Sequence, residues 1–226
     1  CDADEFMEVV DTAEYGYDDN SYPATNLAGH YQRRNAALAA MTADILSERL
    51  PVPPDAIVRG LSRVAWEGRW DERRLADGRT IIFDAAHNEE AAGMLDENLA
   101  ALVKKLGYKP TIMCGSLGER RARAVLATVC RHAGEVVLMH PAQQRALSFE
   151  ELEAAMPADY TGRVRRASVR EIVPSPGVCT AGGSGQTVVA TGSIYLLGEL
   201  MEALYFTRAP HEQDLQDGPG NQRLAK

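Results

Sequence analysis

From Thr80 onward, short apolar runs alternate with amphipathic helical segments, and this alternation most constrains the fold. Strands are predicted at residues 80–85, 111–115, 135–139, 163–167 and 187–191, and helices at 89–106, 119–133, 149–155 and 193–206. Strands that alternate with helices form βαβ units, whose strands run parallel. Apolar runs such as TVVAT at 187–191 are typical of a sheet that is covered on both faces. The sequence therefore predicts an α/β domain with a mostly parallel sheet flanked by helices.

The first 68 residues have a different organisation. An Ala-rich helical pattern at 27–50 ends before the Pro-rich segment PVPP, and a short helix is predicted at 54–64. A strand-like run covers Phe6–Val10, and the tail from Thr207 has no apolar period and is predicted to be disordered. We therefore divide the chain into a helical remnant (1–50), a linker (51–68), an α/β domain (69–206) and a tail (207–226), and we read it as a piece of a longer protein.

The composition excludes several classes of protein. A net charge of −8 argues against a general nucleic-acid binder, which needs excess Lys and Arg. No run of about 18 apolar residues is present, so we expect no membrane span. None of the four cysteines forms a CxxC pair, which disfavours a zinc site or a disulfide framework and favours a reducing compartment, the cytoplasm.

The segment Asp84-Ala85-Ala86-His87-Asn88 places a carboxylate, an imidazole and an amide where a strand ends and a helix begins. In α/β proteins this position binds ligands, because the strand edge opens into a crevice and the helix start offers free N–H groups. Asp84 could accept hydrogen bonds from ribose hydroxyls, and His87 could meet phosphate charge. The alternative is an ordinary helix N-cap, which Asp or Asn also provides. The residues alone leave both interpretations open, although a cap does not need the imidazole.

Three further positions carry polar groups that could reach a ligand. Arg69, beside Gly68 in a connection, could hold a phosphate bidentately, or it could be a surface arginine. Asn35, at the start of the long helix, could read an adenine edge, or it could have no ligand. Ser193 follows a predicted strand and could cap the last helix or contact an anionic substrate. The arginines at 120, 121 and 123 are interpreted as a solvated helix face.

These motifs, in this order, resemble one family. Gly29-x-Tyr31-Gln32-x-x-Asn35, Trp66-x-Gly68-Arg69, Asp84-x-Ala86-His87-Asn88 and Gly192-Ser193-x-Tyr195-Leu196-x-Gly198 look like the C-terminal half of the folylpolyglutamate synthase/dihydrofolate synthase family, in the Mur ligase superfamily. The resemblance covers roughly residues 20–205. It implies a Rossmann-like C-terminal ligase domain, preceded by the last helix of a central P-loop ATPase domain.

The resemblance also implies the reaction and the roles of residues. ATP would lie between the two domains in contact with Asn35, Arg69 and Asp84, with His87 beside the phosphates as the catalytic residue and Ser193 near the glutamate substrate. The reaction would be ATP-dependent amide formation between L-glutamate and dihydropteroate or a folate, through an acyl phosphate. Mg²⁺ would be bound mainly by the N-terminal half, and no metal ligand is assigned here. The family implies a monomer.

Departures from the family pattern are small inside the motifs and large outside them. Glu67 and Glu89 stand where the family commonly has Pro, and Ala85 stands where it has Gly. No P-loop lies within the 226 residues, so we expect this chain alone to have no ligase activity. Two other interpretations stay open: another Mur-superfamily amino acid ligase, and a non-catalytic nucleotide-binding module.

Overall fold

A six-stranded sheet with the strand order β1-β2-β6-β3-β4-β5 forms the centre of the structure, a computed structural model that describes residues 23–27, 30–47 and 49–205. The strands are β1 (Asp71–Arg74), β2 (Thr80–Asp84), β3 (Thr111–Cys114), β4 (Glu135–Met139), β5 (Arg163–Ala167) and β6 (Thr187–Thr191). The helices are α1 (His30–Leu46), α2 (Pro54–Leu61), α3 (Glu89–Leu106), α4 (Glu119–His132), α5 (Phe149–Ala155), α6 (Val169–Ile172) and α7 (Ile194–Tyr205).

Five strands are parallel, which confirms the predicted α/β architecture. The chain passes from β2 through α3 to β3, and β6 later enters between these two strands. Strand β1 was not predicted, because its sequence DERR has no apolar alternation. It pairs antiparallel with β2, with Asp71 opposite Phe83, and forms the edge of the sheet. Charged side chains are common on an edge strand, where they oppose further strand pairing.

Two apolar layers cover the sheet, one on each face. Alternate strand residues such as Ile82 and Val136 pack with helices α3, α4 and α5. Their neighbours Ile81 and Val137 point to the other face and pack with α6 and α7. This double burial explains the nearly continuous apolar strands of the sequence.

The helix boundaries follow local signals that the sequence displays. Asn88 caps α3 by accepting a hydrogen bond from the backbone N–H of Ala91, at 2.8 Å, and Gly107 ends the helix in the left-handed conformation. Ser148 and Glu151 form the predicted capping box of α5. These bounds agree with the predicted helices at 89–106 and 149–155.

Helices α1 and α2 are shorter than predicted. Helix α1 ends at Leu46, and its buried residues include Ala37 and Met41, whereas α2 buries none of its residues. The predicted strand Phe6–Val10 and the tail 207–226 lie outside the described residues. No helix in the described part of the chain is long and apolar enough to cross a membrane. Cys114, Cys130 and Cys179 are free and buried.

Candidate functional site

The carboxyl edge of the parallel sheet has a crevice between the ends of β2 and β6. Helix α3 follows β2 on one face of the sheet, and α7 follows β6 on the other, so the connections diverge at this point. Such a divergence is where open α/β sheets bind ligands. The backbone N–H of Gly192 donates to the carbonyl of Ala86, at 3.0 Å, and ties the two connections together. His87 and Ser193 thus belong to one edge of the sheet, as the sequence predicts.

A cavity of about 400 Å³, which we call the large cavity, brings together three of the five predicted site residues. Helix α1 contributes Asn35, the connection before β1 contributes Arg69, and the connection after β2 contributes His87. Trp66 lies in the same lining and is 63% exposed. Residues far apart in sequence therefore line one cavity. This arrangement is typical of a binding site large enough for a nucleotide.

Asn35 is held at the large cavity by its neighbour one helical turn earlier. Its Nδ2 donates to Oε1 of Gln32, at 3.1 Å, and Gln32 is buried. The Oδ1 of Asn35 accepts no hydrogen bond from the described residues. The side chain is thus oriented by the protein and keeps an acceptor for a ligand.

Asp84 is buried and does not line the large cavity. Its Oδ2 accepts from the backbone N–H of Trp70, at 3.2 Å, and its Oδ1 accepts from that of Ala86, at 3.1 Å. In this structure both carboxylate oxygens accept hydrogen bonds from backbone N–H groups. The predicted contact with ATP stays a prediction, and the geometry gives Asp84 a positioning role.

The turn that carries Arg69 depends on Asp84. Trp70 has a φ of 50°, the only positive φ of a non-glycine residue in the described ranges. Its backbone N–H donates the hydrogen bond that Asp84 accepts. Such a conformation costs about 1–2 kcal/mol, so the surrounding contacts must hold it. The carbonyl of Gly68 accepts from the N–H of Ala85, at 2.8 Å. Arg69 lies between these two tied residues, and its backbone position is therefore fixed from both sides.

Burial raises the pKa of Asp84 to about 6, although the hydrogen bond from Ala86 and the charge of Arg69 act in the opposite direction. Desolvation therefore outweighs the contacts that favour the ionised form. A carboxylate that is ionised only at some cost gains from a neighbouring cation. Asp84 and Arg69 consequently support each other electrostatically at neutral pH.

His87 has one nitrogen engaged and the other available. Its Nδ1 lies 2.8 Å from the carbonyl oxygen of Ala85. A carbonyl can only accept, so Nδ1 carries the hydrogen, and Nε2 of the neutral ring is an acceptor. Asn88 is used as the cap of α3, so both readings of the motif are present: Asn88 caps, and His87 faces the cavity.

A second, smaller cavity of about 170 Å³, which we call the small pocket, lies on the other side of His87. Ser193 and Tyr195 line it from the start of α7, and Arg121 and Arg145 line it from α4 and from the connection after β4. Ser193 is buried, and its Oγ accepts from the N–H of Tyr195, at 3.2 Å. The hydroxyl therefore acts as a helix cap at the same place where a substrate contact was predicted.

Sequence comparisons show which known proteins this chain is similar to. No family profile matches the chain. The folylpolyglutamate synthase of Lacticaseibacillus casei is 27% identical over 185 residues, which are 79% of this chain and 39% of that protein. The probable dihydrofolate synthetase of Schizosaccharomyces pombe is 22% identical over 202 residues, which are 87% of this chain and 47% of that protein.

A solved structure gives the same answer. The folylpolyglutamate synthase of Mycobacterium tuberculosis, complexed with ADP and AMPPCP, matches with a TM-score of 0.59 and 27% identity, over 78% of this chain and 40% of that one. The chain is related to the folylpolyglutamate and dihydrofolate synthases. It spans less than half the length of the curated relatives named above.

Three residues that line the two cavities were missed by sequence reasoning. Arg121 was assigned to a solvated helix face, and Arg145 and Gln32 were given no role of their own. The signal for Arg121 is its place at the start of a helix that follows a strand, where side chains reach the carboxyl edge of the sheet. Arg145 lies in a connection of irregular structure, and nothing in its local sequence distinguishes it from a surface arginine.

Proposed function

We propose that this chain forms part of an ATP-dependent amide ligase that adds L-glutamate to dihydropteroate, to (poly)glutamyl folates, or to both. The observation that carries the proposal is the large cavity, which joins Asn35, Arg69 and His87. The names of the relatives and the nucleotides bound in the Mycobacterium tuberculosis structure support it. The sheet and α7 correspond in this proposal to a C-terminal ligase domain, and α1 belongs to the preceding ATPase domain.

The chemistry has two steps. A carboxylate oxygen of the folate or pteroate attacks the γ-phosphorus of ATP, the bond to the β-phosphate oxygen breaks, and ADP leaves with that electron pair. The amine of L-glutamate then attacks the acyl carbon, loses a proton, and displaces inorganic phosphate. Both steps depend mainly on positioning and on neutralisation of charge.

Each predicted residue has a task that its position supports. The free Oδ1 of Asn35 suits the amino group of adenine. The guanidinium of Arg69 suits phosphate oxygens, because it can bind two of them at once. Asp84 keeps the turn of Arg69 in place, with or without a ribose contact of its own. Nε2 of His87 can accept a hydrogen bond from the amine substrate, and Ser193 lies within the same small pocket.

A metal ion is not assigned to these residues. The described part of the chain contains no group of three His, Cys, Asp or Glu side chains that could hold one. Glu90 lines the large cavity, and Asp84, which does not line it, already accepts two backbone hydrogen bonds. As the family resemblance implies, the proposal assigns Mg²⁺ mainly to the N-terminal half of the ligase.

Titration of the chain with ATP tests the nucleotide site. We expect weak binding that shifts the NMR signals of the Trp66 indole and of the His87 backbone amide. Replacement of Arg69 by Gln should weaken this binding about tenfold, as expected for loss of a charge-assisted contact. Arg74→Gln, in the exposed edge strand, is the matched control and should leave the binding unchanged. Binding that does not depend on Arg69 would contradict the proposal.

A ligase assay tests whether the chain alone has ligase activity. The chain alone is incubated with ATP, L-glutamate and dihydropteroate or a folate, and glutamate-dependent release of ADP is measured. We expect no turnover, because no P-loop lies within the 226 residues. Turnover would show that the chain carries a complete site. Tight ATP binding without turnover would favour the nucleotide-binding module instead.

A further inference from the structure

A second carboxylate, besides that of Asp84, holds the turn that carries Arg69. The backbone N–H of Gly68 donates to Oδ2 of Asp71, at 3.3 Å. Asp71 is the first residue of β1, and it does not line either cavity. The turn from residue 68 to residue 71 is thus closed by a side chain that follows it in the sequence. The backbone position of Arg69 therefore depends on what holds this carboxylate in place.

Arg73, in the same strand, holds the carboxylate of Asp71. Its Nε donates to Oδ1 and Oδ2 of Asp71, at 3.2 Å and 3.1 Å, and its Nη2 donates to Oδ2, at 2.8 Å. Two nitrogens on one carboxylate fix the geometry of the pair more firmly than a single contact does. Nη2 also lies 3.1 Å from Oε1 of Glu67. Because Glu67 precedes the turn and Asp71 follows it, Arg73 joins the two ends of the turn.

Two aromatic rings keep the guanidinium of Arg73 at this position. Its Cζ lies 4.8 Å from the ring centroid of Tyr205, at the end of α7, and 5.8 Å from that of Phe83 in β2. The negative face of an aromatic ring attracts such a cation. The side chain of Arg73 is 24% exposed, whereas that of Arg120 is 92% exposed in its own ion pair with Glu89. Arg73 is therefore packed into the structure, unlike a solvated surface arginine.

Glu67 makes this network a particular feature of this chain. It stands where the family pattern commonly has Pro. A proline ring fixes φ at its own position, and glutamate has no such restraint. The ion pair with Arg73 restrains the chain before the turn in a different way, through the side chain. The substitution in the motif and the arginine six residues later thus belong to one arrangement.

We infer that Arg73 is a positioning residue, which through Asp71 and Glu67 holds the turn that presents Arg69 to the large cavity. Arg73 does not line that cavity, so its effect on a ligand must pass through Arg69. The inference rests on the proposed function for the identity of the ligand. The hold on the turn, however, can be measured in the chain without any ligand.

Hydrogen exchange of the chain without nucleotide tests the hold on the turn. Arg73→Gln should speed the exchange of the Gly68 and Trp70 amides about tenfold, because the turn opens more often once Asp71 is released. The amide of Val189, in the central strand β6, should not change. Arg74→Gln is the matched control, since Arg74 is the next residue of β1 and is exposed. Unchanged exchange at Gly68 and Trp70 would overturn the inference.

A double-variant cycle tests whether Arg73 acts through Arg69. In the parent chain, Arg73→Gln should weaken ATP binding about threefold, as for the loss of part of one ion pair. In the Arg69→Gln chain the same change should have no effect, because the contact that depends on Arg73 is already absent. Adenosine, which has no phosphate, should bind equally to the parent chain and to Arg73→Gln.

A merely structural role of Arg73 gives different results in this cycle. It would weaken ATP binding by the same factor with and without Arg69, or it would weaken ATP and adenosine equally. Either result overturns the inference. Urea unfolding of each variant shows how far the chain itself is destabilised.

Glu67→Gln is a milder variant, which keeps the inference testable if Arg73→Gln does not fold. The side chain of Glu67 is exposed, so its replacement leaves the apolar layers intact. We expect exchange at Gly68 to become about threefold faster and ATP binding to weaken about twofold, as for one exposed ion pair. No change in either measurement would count against the inference.

The two kinds of measurement separate this inference from the proposed function. Faster exchange at Gly68, together with ATP binding that does not depend on Arg69, would support the hold on the turn and refute the proposed nucleotide site. Unchanged exchange, together with ATP binding that does depend on Arg69, would refute the role of Arg73 alone.

Discussion

The two edges of the parallel sheet differ in whether their charged side chains are paired. At the carboxyl edge, Arg121 and Arg145 have no ion pair in the described ranges, and two hydroxyls are buried without a partner. At the amino edge, Glu135 accepts from Thr111 Oγ1, at 3.2 Å, and from Arg165 Nε, at 3.3 Å. Polar groups that satisfy one another contribute to structure, whereas the exposed side chains of Arg121 and Arg145 are not held in ion pairs with described residues.

The loop before β6 is a further example of paired polar groups at the amino edge. Arg79 donates through Nε to the carbonyl of Gly183, at 3.1 Å, and through Nη2 to that of Gly182, at 3.3 Å, and it also bonds the carbonyl of Cys179. The sequence TAGGSGQ at 180–186 is rich in glycine, yet these bonds hold it against the sheet. Glycine-rich composition alone is therefore a poor guide to mobility.

The largest expected effect comes from the close packing at the carboxyl edge. Gly192 has a φ of 96°, and a Cβ there would lie 2.4 Å from the carbonyl oxygen of Gly115. Gly192→Ala should lower the free energy of unfolding in urea by about 4 kcal/mol, from backbone strain and overpacking together. Gly185→Ala at the amino edge is the control, since Gly185 also has a positive φ but open space, and it should cost about 1–2 kcal/mol. Equal losses would disprove the importance of the close approach.

The next largest expected effect is the pH dependence of the free energy of unfolding that Asp84 causes. Its pKa is raised by burial to about 6, so the neutral form is favoured by folding. This contribution is fully present below about pH 4, and it is lost as pH rises through 6. The stability of the parent chain relative to Asp84→Asn should fall by about 3 kcal/mol between pH 4 and pH 7, in urea unfolding at each pH. A difference that stays constant with pH would contradict the burial of an ionisable group here.

Arg79 tests whether the amino edge is structural. Arg79→Gln should lower the free energy of unfolding by about 2 kcal/mol, because several loop carbonyls lose a charged donor. Arg59→Gln on α2 is the matched control, since its pair with Asp55 is exposed, and it should change stability by less than about 0.5 kcal/mol. If both variants are equally stable, the amino edge does not depend on its paired charges.

Arg69 should show the smallest effect on stability, because it has no salt bridge within 4.0 Å in the described ranges and its charge influences Asp84 less than burial does. Arg69→Gln should change the free energy of unfolding by less than about 0.5 kcal/mol, while it weakens ATP binding. The same urea measurement as for Arg79 allows a direct comparison of two arginines at opposite edges. A loss comparable to that of Arg79→Gln would assign Arg69 a structural role instead.

Most of the fold could be predicted from the sequence, since strands and helices of the sheet have clear apolar periods and caps. Strand β1 could not, because its four residues are charged and its pairing with β2 is decided by the edge position. Asn35, Arg69 and His87 were found from short motifs and do meet in one cavity. The contact of Asp84 with ATP was inferred from the family, whereas the backbone hydrogen bonds that occupy its oxygens depend on a turn that no local pattern reveals.

The imidazole of His87 belongs to the walls of both cavities. A molecule that turns this ring from one side alters the surface offered on the other side. Thermodynamic linkage is reciprocal, so any change in affinity that the first ligand imposes on the second is returned by the same factor. We expect that a side chain shared by the two cavities, in the connection after β2, can couple ligands bound in them without movement of the sheet.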